Sequence, residues 1–180
     1  MKRLSYTLPV LVFLALAGVF FYQLRWGSDP RDIPSVLIDK PVPELNLPGV
    51  PGRDDRGLKT RDITGQVSLV SVFGSWCIAC VAEHPMLLQI RKTGLVPIHG
   101  IDWNEKDPAD GGKWLKRHGD PYDRVGLDIG SHAAIDFGVT GAPETFVVDK
   151  TGHIRYKQVG PITPEVWKQT LLPMIKELSK

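Results

Sequence analysis

Apolar positions fall in one long block near the start of the chain and in short, punctuated runs after it. Leu4 to Leu24 carries no charge and is mostly apolar, with Leu8, Val10 to Leu14 and Val19 to Tyr22 as its body. At ~1.5 Å per residue a helix over this stretch spans ~30 Å, about one hydrocarbon core. Residues 27 to about 64 are rich in proline, glycine and charge and read as a linker followed by loops and short edge strands. Val67 to Phe73 is an almost unbroken apolar run between Gly65 and Gly74, which predicts a strand buried on both faces. Ala82 to Lys92 has helical residue types, with Met86, Leu87 and Ile90 able to share a face. Val96 to Trp103 predicts a second strand, closed by the polar loop Asn104 to Pro108. A helix over Ala109 to His118 ends at Gly119, and a short one covers Ser131 to Phe137. Glu144 to Asp149 and Ile154 to Val159 read as a hairpin joined by Lys150 to His153. A last helix opens with Thr163 as N-cap and Pro164 in its first turn, and Pro173 should interrupt it. Parallel strands with helical crossovers followed by an antiparallel pair predict a mixed α/β sandwich.

The long apolar block organises the rest of the chain. We divide it into an amino-terminal stub and transmembrane segment (1–26), a linker (27–40) and a folded domain (41–180). Lys2 and Arg3 precede the block, so the positive-inside rule puts the start in the cytoplasm and the domain outside. A cleaved signal peptide competes with an anchor, since Ala15-Leu16-Ala17 looks like a small-residue cleavage site. The apolar run continues through Phe20 and Phe21, however, and a cut there would leave a greasy new terminus. Under either reading the domain is exported to a compartment where cysteines can be oxidised.

Composition narrows the chemistry. Among 180 residues, 42% are hydrophobic and 23% charged, a globular profile, and the net charge of +2 gives no basic footprint for nucleic acid. Two cysteines occur, in the run Trp76-Cys77-Ile78-Ala79-Cys80. As a structural staple this pair would close almost no loop. As a zinc site it would need two more ligands, one from His84 and one from a distant histidine among His99, His118, His132 and His153. Thiol–disulfide exchange needs only what is present, an attacking thiolate and a second thiol close enough to resolve the mixed disulfide. If a helix starts at the pair, its free N–H groups and dipole favour a thiolate on Cys77. Cys80, one turn further in, would be less exposed and would act as the resolving thiol.

The motifs around the pair resemble those of a known family. Gly74-Ser75-Trp76-Cys77-Ile78-Ala79-Cys80 after a hydrophobic strand is similar to the thioredoxin active-site turn, and Gly138-Val139-Thr140-Gly141-Ala142-Pro143-Glu144-Thr145-Phe146 to that family's proline loop. With Glu83-His84-Pro85 and Gly160-Pro161-Ile162-Thr163-Pro164-Glu165, the resemblance narrows to the CcmG/DsbE proteins of bacterial cytochrome c maturation. It implies a thioredoxin-like three-layer sandwich with a central mixed sheet, preceded by one transmembrane helix. It also implies a redox-active Cys77–Cys80 disulfide and a cis bond before Pro143, whose flanking carbonyl and N–H would offer strand-like hydrogen bonds to a bound peptide. Trp76 would pack beside the pair, and Glu83 and Glu144 would adjoin the site. Where thioredoxins carry a buried aspartate, six positions before Cys77, this chain has Ser71, so proton handling falls to the two glutamates. His84 is read as structural.

By the same resemblance the protein is a single-pass protein of the bacterial inner membrane with its domain in the periplasm. Its substrate would be apocytochrome c and its electron donor a membrane thiol reductase of the DsbD or CcdA kind. The reaction calls for no cofactor and no metal. Two other readings stay open: a TlpA- or ResA-like reductase of other exported proteins, and a copper metallochaperone using the thiolates as soft ligands.

Overall fold

A computed structural model describes residues 2–26, 35–53 and 56–180. The chain divides into two compact units, 1–33 and 34–180. The first contains one helix, α1 (Lys2–Trp26), whose 18-residue stretch Leu8–Arg25 is long and apolar enough to cross a membrane, with none of it buried in protein. Of the segment read as linker, 27–34 lies outside the described residues. The remainder packs on the second unit: Asp39 N–H donates to Ile154 O, Ile154 N–H donates to Lys40 O, and Leu37 and Ile38 join a hydrophobic cluster.

The second unit is built on a five-stranded sheet. Its strands are β3 (Ser68–Phe73), β4 (Ile98–Trp103), β5 (Arg124–Asp128), β6 (Glu144–Val148) and β7 (Ile154–Val159). They lie in the order β5-β4-β3-β6-β7, with β3, β4 and β5 parallel and β6 and β7 antiparallel. A small hairpin, β1 (Asn46–Leu47) with β2 (Leu58–Lys59), precedes it. Helix α2 (Ile78–Thr93) crosses from β3 to β4, and α3 (Asp110–His118) from β4 to β5. Both are followed by α4 (His132–Asp136) and a carboxy-terminal helix in two parts, α5 (Pro164–Val166) and α6 (Leu172–Leu178).

Every residue of β3 is buried, as its apolar run predicts, and the pleat sends alternate side chains into two cores. Leu69 and Phe73 face a cluster with Leu87 and Ile90 of α2, Trp114 of α3, and Trp167, Leu171 and Ile175 of the carboxy-terminal helix. Val70 and Val72 face the other way, against Ala133, Phe137, Phe146 and the amino-terminal hairpin. Three layers result, and Cys77 and Cys80 belong to the first cluster.

Strand β5 is a departure from the sequence reading, which has no strand between α3 and α4. Arg124-Val125-Gly126-Leu127-Asp128 shows neither alternation nor an apolar run, and it is a strand because β4 pairs with it throughout, from His99↔Arg124 to Trp103↔Asp128. Gly126 lets the hairpin lie close on this edge, since a Cβ there would meet Leu47 Cβ at 2.5 Å. The carboxy-terminal helix opens as predicted: Thr163 Oγ1 accepts the Val166 N–H at 3.2 Å, with Pro164 in the first turn. Ahead of Pro173 the helix widens into a π-turn over Trp167–Leu171, which relieves the clash of the ring with the carbonyl one turn back. Thr163→Ala is expected to destabilise the domain by ~1 kcal/mol, read as a lower urea midpoint at unchanged slope.

Candidate active site

The redox pair sits where the buried strand β3 gives way to α2. Cys77 is the N-cap of that helix, in extended backbone geometry, and its Sγ accepts the Cys80 N–H at 3.0 Å. One orphan donor of the helix terminus is thus aimed at the sulfur that would carry negative charge after reduction. The two cysteines form a disulfide with a Cα–Cα distance of 5.2 Å. In this oxidised form the two cysteines are about equally hidden, Cys77 at 4% and Cys80 at 3% exposed. What reaches solvent is an apolar collar, with Trp76 46%, Ile78 88% and Val81 42% exposed.

Trp76 is folded back over the turn. Its indole Nε1 donates to Trp103 O at 3.0 Å and its ring meets Trp103 edge-on at 5.6 Å. Gly74 permits this, for a Cβ there would lie 2.5 Å from the indole nitrogen. The Ala142–Pro143 peptide is cis, and Ala142 packs against the cluster that holds the cysteines. The Pro143 carbonyl is not free to bind a peptide, since it accepts the Gly160 N–H at 3.0 Å. Among the described residues no bond engages the Ala142 backbone, so the presented edge narrows to Ala142.

Glu83 and Glu144 are both interior, and they differ in partners. Cys80, Glu83, His84, Leu87 and Ile90 make up the buried face of α2, with Glu83 one turn beyond Cys80. Glu83 is 2% exposed, and its Oε1 accepts the Ile162 N–H at 2.8 Å, from the loop that follows β7. Burial pushes its carboxyl up to about 7 against the lowering pull of that bond. Glu144 opens β6 and is hydrogen-bonded through one oxygen and ion-paired through the other. Its Oε1 accepts both the N–H (3.1 Å) and the hydroxyl (2.5 Å) of Thr140, and its Oε2 lies 3.0 Å from Lys157 Nζ.

His84 is structural, as expected. Its Nε2 meets Gly119 O at 2.9 Å, so that nitrogen carries the proton, and the ring lies edge-on to Trp114 at 4.5 Å. Burial keeps its pKa below the ordinary histidine range. Ser71 is buried on the sheet face it shares with Leu69 and Phe73. Its neighbour is Tyr122, stacked on Phe73 at 4.8 Å, although neither hydroxyl makes an aligned hydrogen bond. Burial, then the facing Glu83 carboxyl, holds the Tyr122 phenol well above its usual range.

Lys157 is a site residue that the sequence reading misses. Its side chain is 5% exposed, and besides pairing with Glu144 it donates to Gly138 O at 2.8 Å and lies 5.6 Å from the Phe146 ring centre. With Thr140 it ties down the Gly138–Pro143 loop from both ends. A lysine in an edge strand otherwise reads as a solvated charge. Only its alternation position, on the Phe146 row of the sheet, hints otherwise. No three His, Cys, Asp or Glu side chains gather as metal ligands among the described residues.

A thioredoxin fold with a disulfide at the N-cap of its first crossover helix defines a thiol–disulfide oxidoreductase. The Redoxin family profile matches residues 38–171. The chain is 46% identical over 169 residues to thiol:disulfide interchange protein DsbE of Allochromatium vinosum, covering 93% of this chain and 91% of the relative. It is 40% identical to the DsbE of Pseudomonas aeruginosa (99% and 96% covered) and 36% identical to that of Escherichia coli K12 (100% and 98%). A crystal structure of a thioredoxin-family thiol:disulfide interchange protein from Chlorobium tepidum is 25% identical, with a TM-score of 0.62 over 83% of this chain and 99% of that one. A thiol-disulfide isomerase from Corynebacterium glutamicum shares the fold at a TM-score of 0.62 and 22% identity, over 77% and 97%. The chain belongs to the DsbE family of thiol:disulfide interchange proteins.

Proposed function

We propose that the chain is a reductase of apocytochrome c, anchored by α1 in the bacterial inner membrane with its redox domain in the periplasm. The observation that carries the chemistry is the Cys80 N–H aimed at Cys77 Sγ within an exposed apolar collar. In the reduced protein that N–H and the α2 dipole favour the Cys77 thiolate. The thiolate attacks one sulfur of the substrate disulfide, forming a mixed disulfide while the other substrate sulfur leaves and takes a proton. Cys80 then passes its proton to Glu83 and attacks Cys77 Sγ, releasing the second substrate thiol and closing the Cys77–Cys80 disulfide. Trp76, Ile78 and Val81 receive the substrate's apolar flank, and the Ala142 edge before Pro143 aligns its backbone. Glu144 serves this scheme by holding the proline loop rather than by moving protons. Two electrons per cycle return from a membrane thiol reductase of the DsbD or CcdA kind.

The reductase and metal-carrier readings separate on one further point. A soft-metal carrier should bind copper(I) stoichiometrically and tightly at the reduced pair, whereas a reductase should show no such site. Cells expressing the Cys80→Ala chain should accumulate mixed disulfides, and those recovered should contain cytochrome c polypeptides. Recovery of other exported proteins in their place would favour the TlpA- or ResA-like role. Equal trapping by Cys77→Ala would sink the assignment of the attacking thiol.

A further inference from the structure

The loop between β4 and α3 reaches across to the turn that delivers Cys77. Glu105, 5% exposed, engages Ser75 with both carboxylate oxygens: Oε1 accepts the Ser75 N–H, and Oε2 accepts the Ser75 hydroxyl at 2.7 Å. Trp103, two residues earlier, accepts the Trp76 indole. Two successive residues ahead of Cys77 are therefore bound to the end of β4.

A buried glutamate normally faces a cation. Its ionisable neighbour is Asp102 of β4, which Asp110 of α3 and the Tyr122 phenol approach in turn. Lys113 and Arg117 of α3 border a cavity of about 190 Å³ that Ser75 also lines, and the Lys113 ammonium is held by Asp107 and Asp110. Asp102 is wholly buried with no well-aligned hydrogen bond to either oxygen, Glu105 being its carboxyl neighbour, and α3 lies directly against it, for a Cβ on Gly111 would fall 1.8 Å from Oδ2. Burial, with the Glu105 carboxyl beside it, pushes Asp102 up to about 8. Of two neighbouring buried carboxyls, only Glu105 has donors on both oxygens. Burial holds the proton on Asp102, while the two Ser75 donors are placed to stabilise a carboxylate at Glu105.

We propose that Glu105 is a positioning residue of the redox centre, pinning the turn before Cys77 and, as a negative charge bound to that turn, disfavouring the Cys77 thiolate. A thiolate that costs more to form destabilises the dithiol relative to the disulfide, so the same charge makes the centre a stronger reductant. This inference rests on Cys77 being the attacking thiol.

The test uses the full-length reduced protein in detergent, alkylated with iodoacetamide across pH with the labelled residue located by mass spectrometry, alongside equilibration with glutathione. Glu105→Gln keeps the shape and an acceptor for the Ser75 N–H but removes the charge. It should lower the pH at which Cys77 becomes reactive by about one unit and shift the glutathione equilibrium several-fold toward the dithiol. Ser75→Ala keeps the charge and removes a donor that neutralises it, so its shift should be of the opposite sign. Asp107→Asn, an exposed carboxylate on the same loop, should leave both readouts unmoved. An unmoved Cys77 titration in Glu105→Gln, shifts of the same sign in Glu105→Gln and Ser75→Ala, or an equal shift in Asp107→Asn would each overturn the proposal alone. First alkylation at Cys80 in the unaltered chain would instead overturn the attacker assignment, and this inference with it.

Discussion

Glu83→Gln is expected to slow disulfide reduction at pH 7 by about 10²- to 10⁴-fold, the usual worth of a positioned general base. The glutamine keeps an acceptor for the Ile162 N–H, so the fold should survive and the loss should appear in the resolution step. Stopped-flow measurement would show the mixed disulfide forming at the normal rate and decaying slowly. Because burial raises Glu83 to about 7, the base form becomes populated through neutrality. The unaltered protein should therefore show a rising limb near pH 7 that the variant lacks. A variant that resolves the mixed disulfide at the wild-type rate would remove Glu83 from the mechanism.

The same carboxyl sets a stability signature of definite sign. The folded protein holds its proton up to about pH 7, while in the unfolded chain it is released near 4.5. Its contribution is fully present below pH 4.5 and is lost as pH rises to about 7, a change of about 3 kcal/mol at 1.36 kcal/mol per unit. Urea unfolding at several pH values should show this decline in the oxidised protein, and Glu83→Gln should flatten it.

Lys157→Met is expected to destabilise the domain by about 3–5 kcal/mol, because it leaves the Glu144 carboxylate buried without its cation. The pair is 5% and 1% exposed, so solvent cannot replace the lost partner. The bond to Gly138 O goes as well. A second substitution, Glu144→Gln, removes the stranded charge and keeps an acceptor for Thr140. The double variant should therefore recover a good part of the loss, and urea midpoints would show it. With the Gly138–Pro143 loop loosened, Lys157→Met should also raise KM for a protein disulfide more than it lowers kcat. A single variant within about 0.5 kcal/mol of the parent would mean that the pair is not the lock its geometry describes.

The redox pair was legible because its chemistry is local. Two cysteines one helical turn apart, after an apolar strand, contain both the attacker and the resolver, and strand β3, helix α2 and the N-cap at Thr163 follow from patterns only a few residues long. The proline loop was legible by resemblance, and the cis bond at Pro143 agrees with it. Strand β5 was not legible, since Gly126 and the charged ends of that segment carry no periodic signal and its strand character comes from β4. Glu83 could be read as adjoining the motif but not as buried, because its burial depends on Ile162, which the chain brings back only after β7.

What the sequence by itself determined is the class of chemistry: a close cysteine pair at a strand-to-helix junction, in a chain that starts with an apolar segment long enough to cross a membrane. What only the tertiary structure decided is the state of the charges around that pair. Glu83 is buried and changes protonation near neutrality, Glu144 is paired with Lys157, and Glu105 is clamped on Ser75, while all three read as similar acids in the sequence. Their differences come from desolvation and from partners brought in by long-range strand and loop packing, and neither is encoded in the residues beside them.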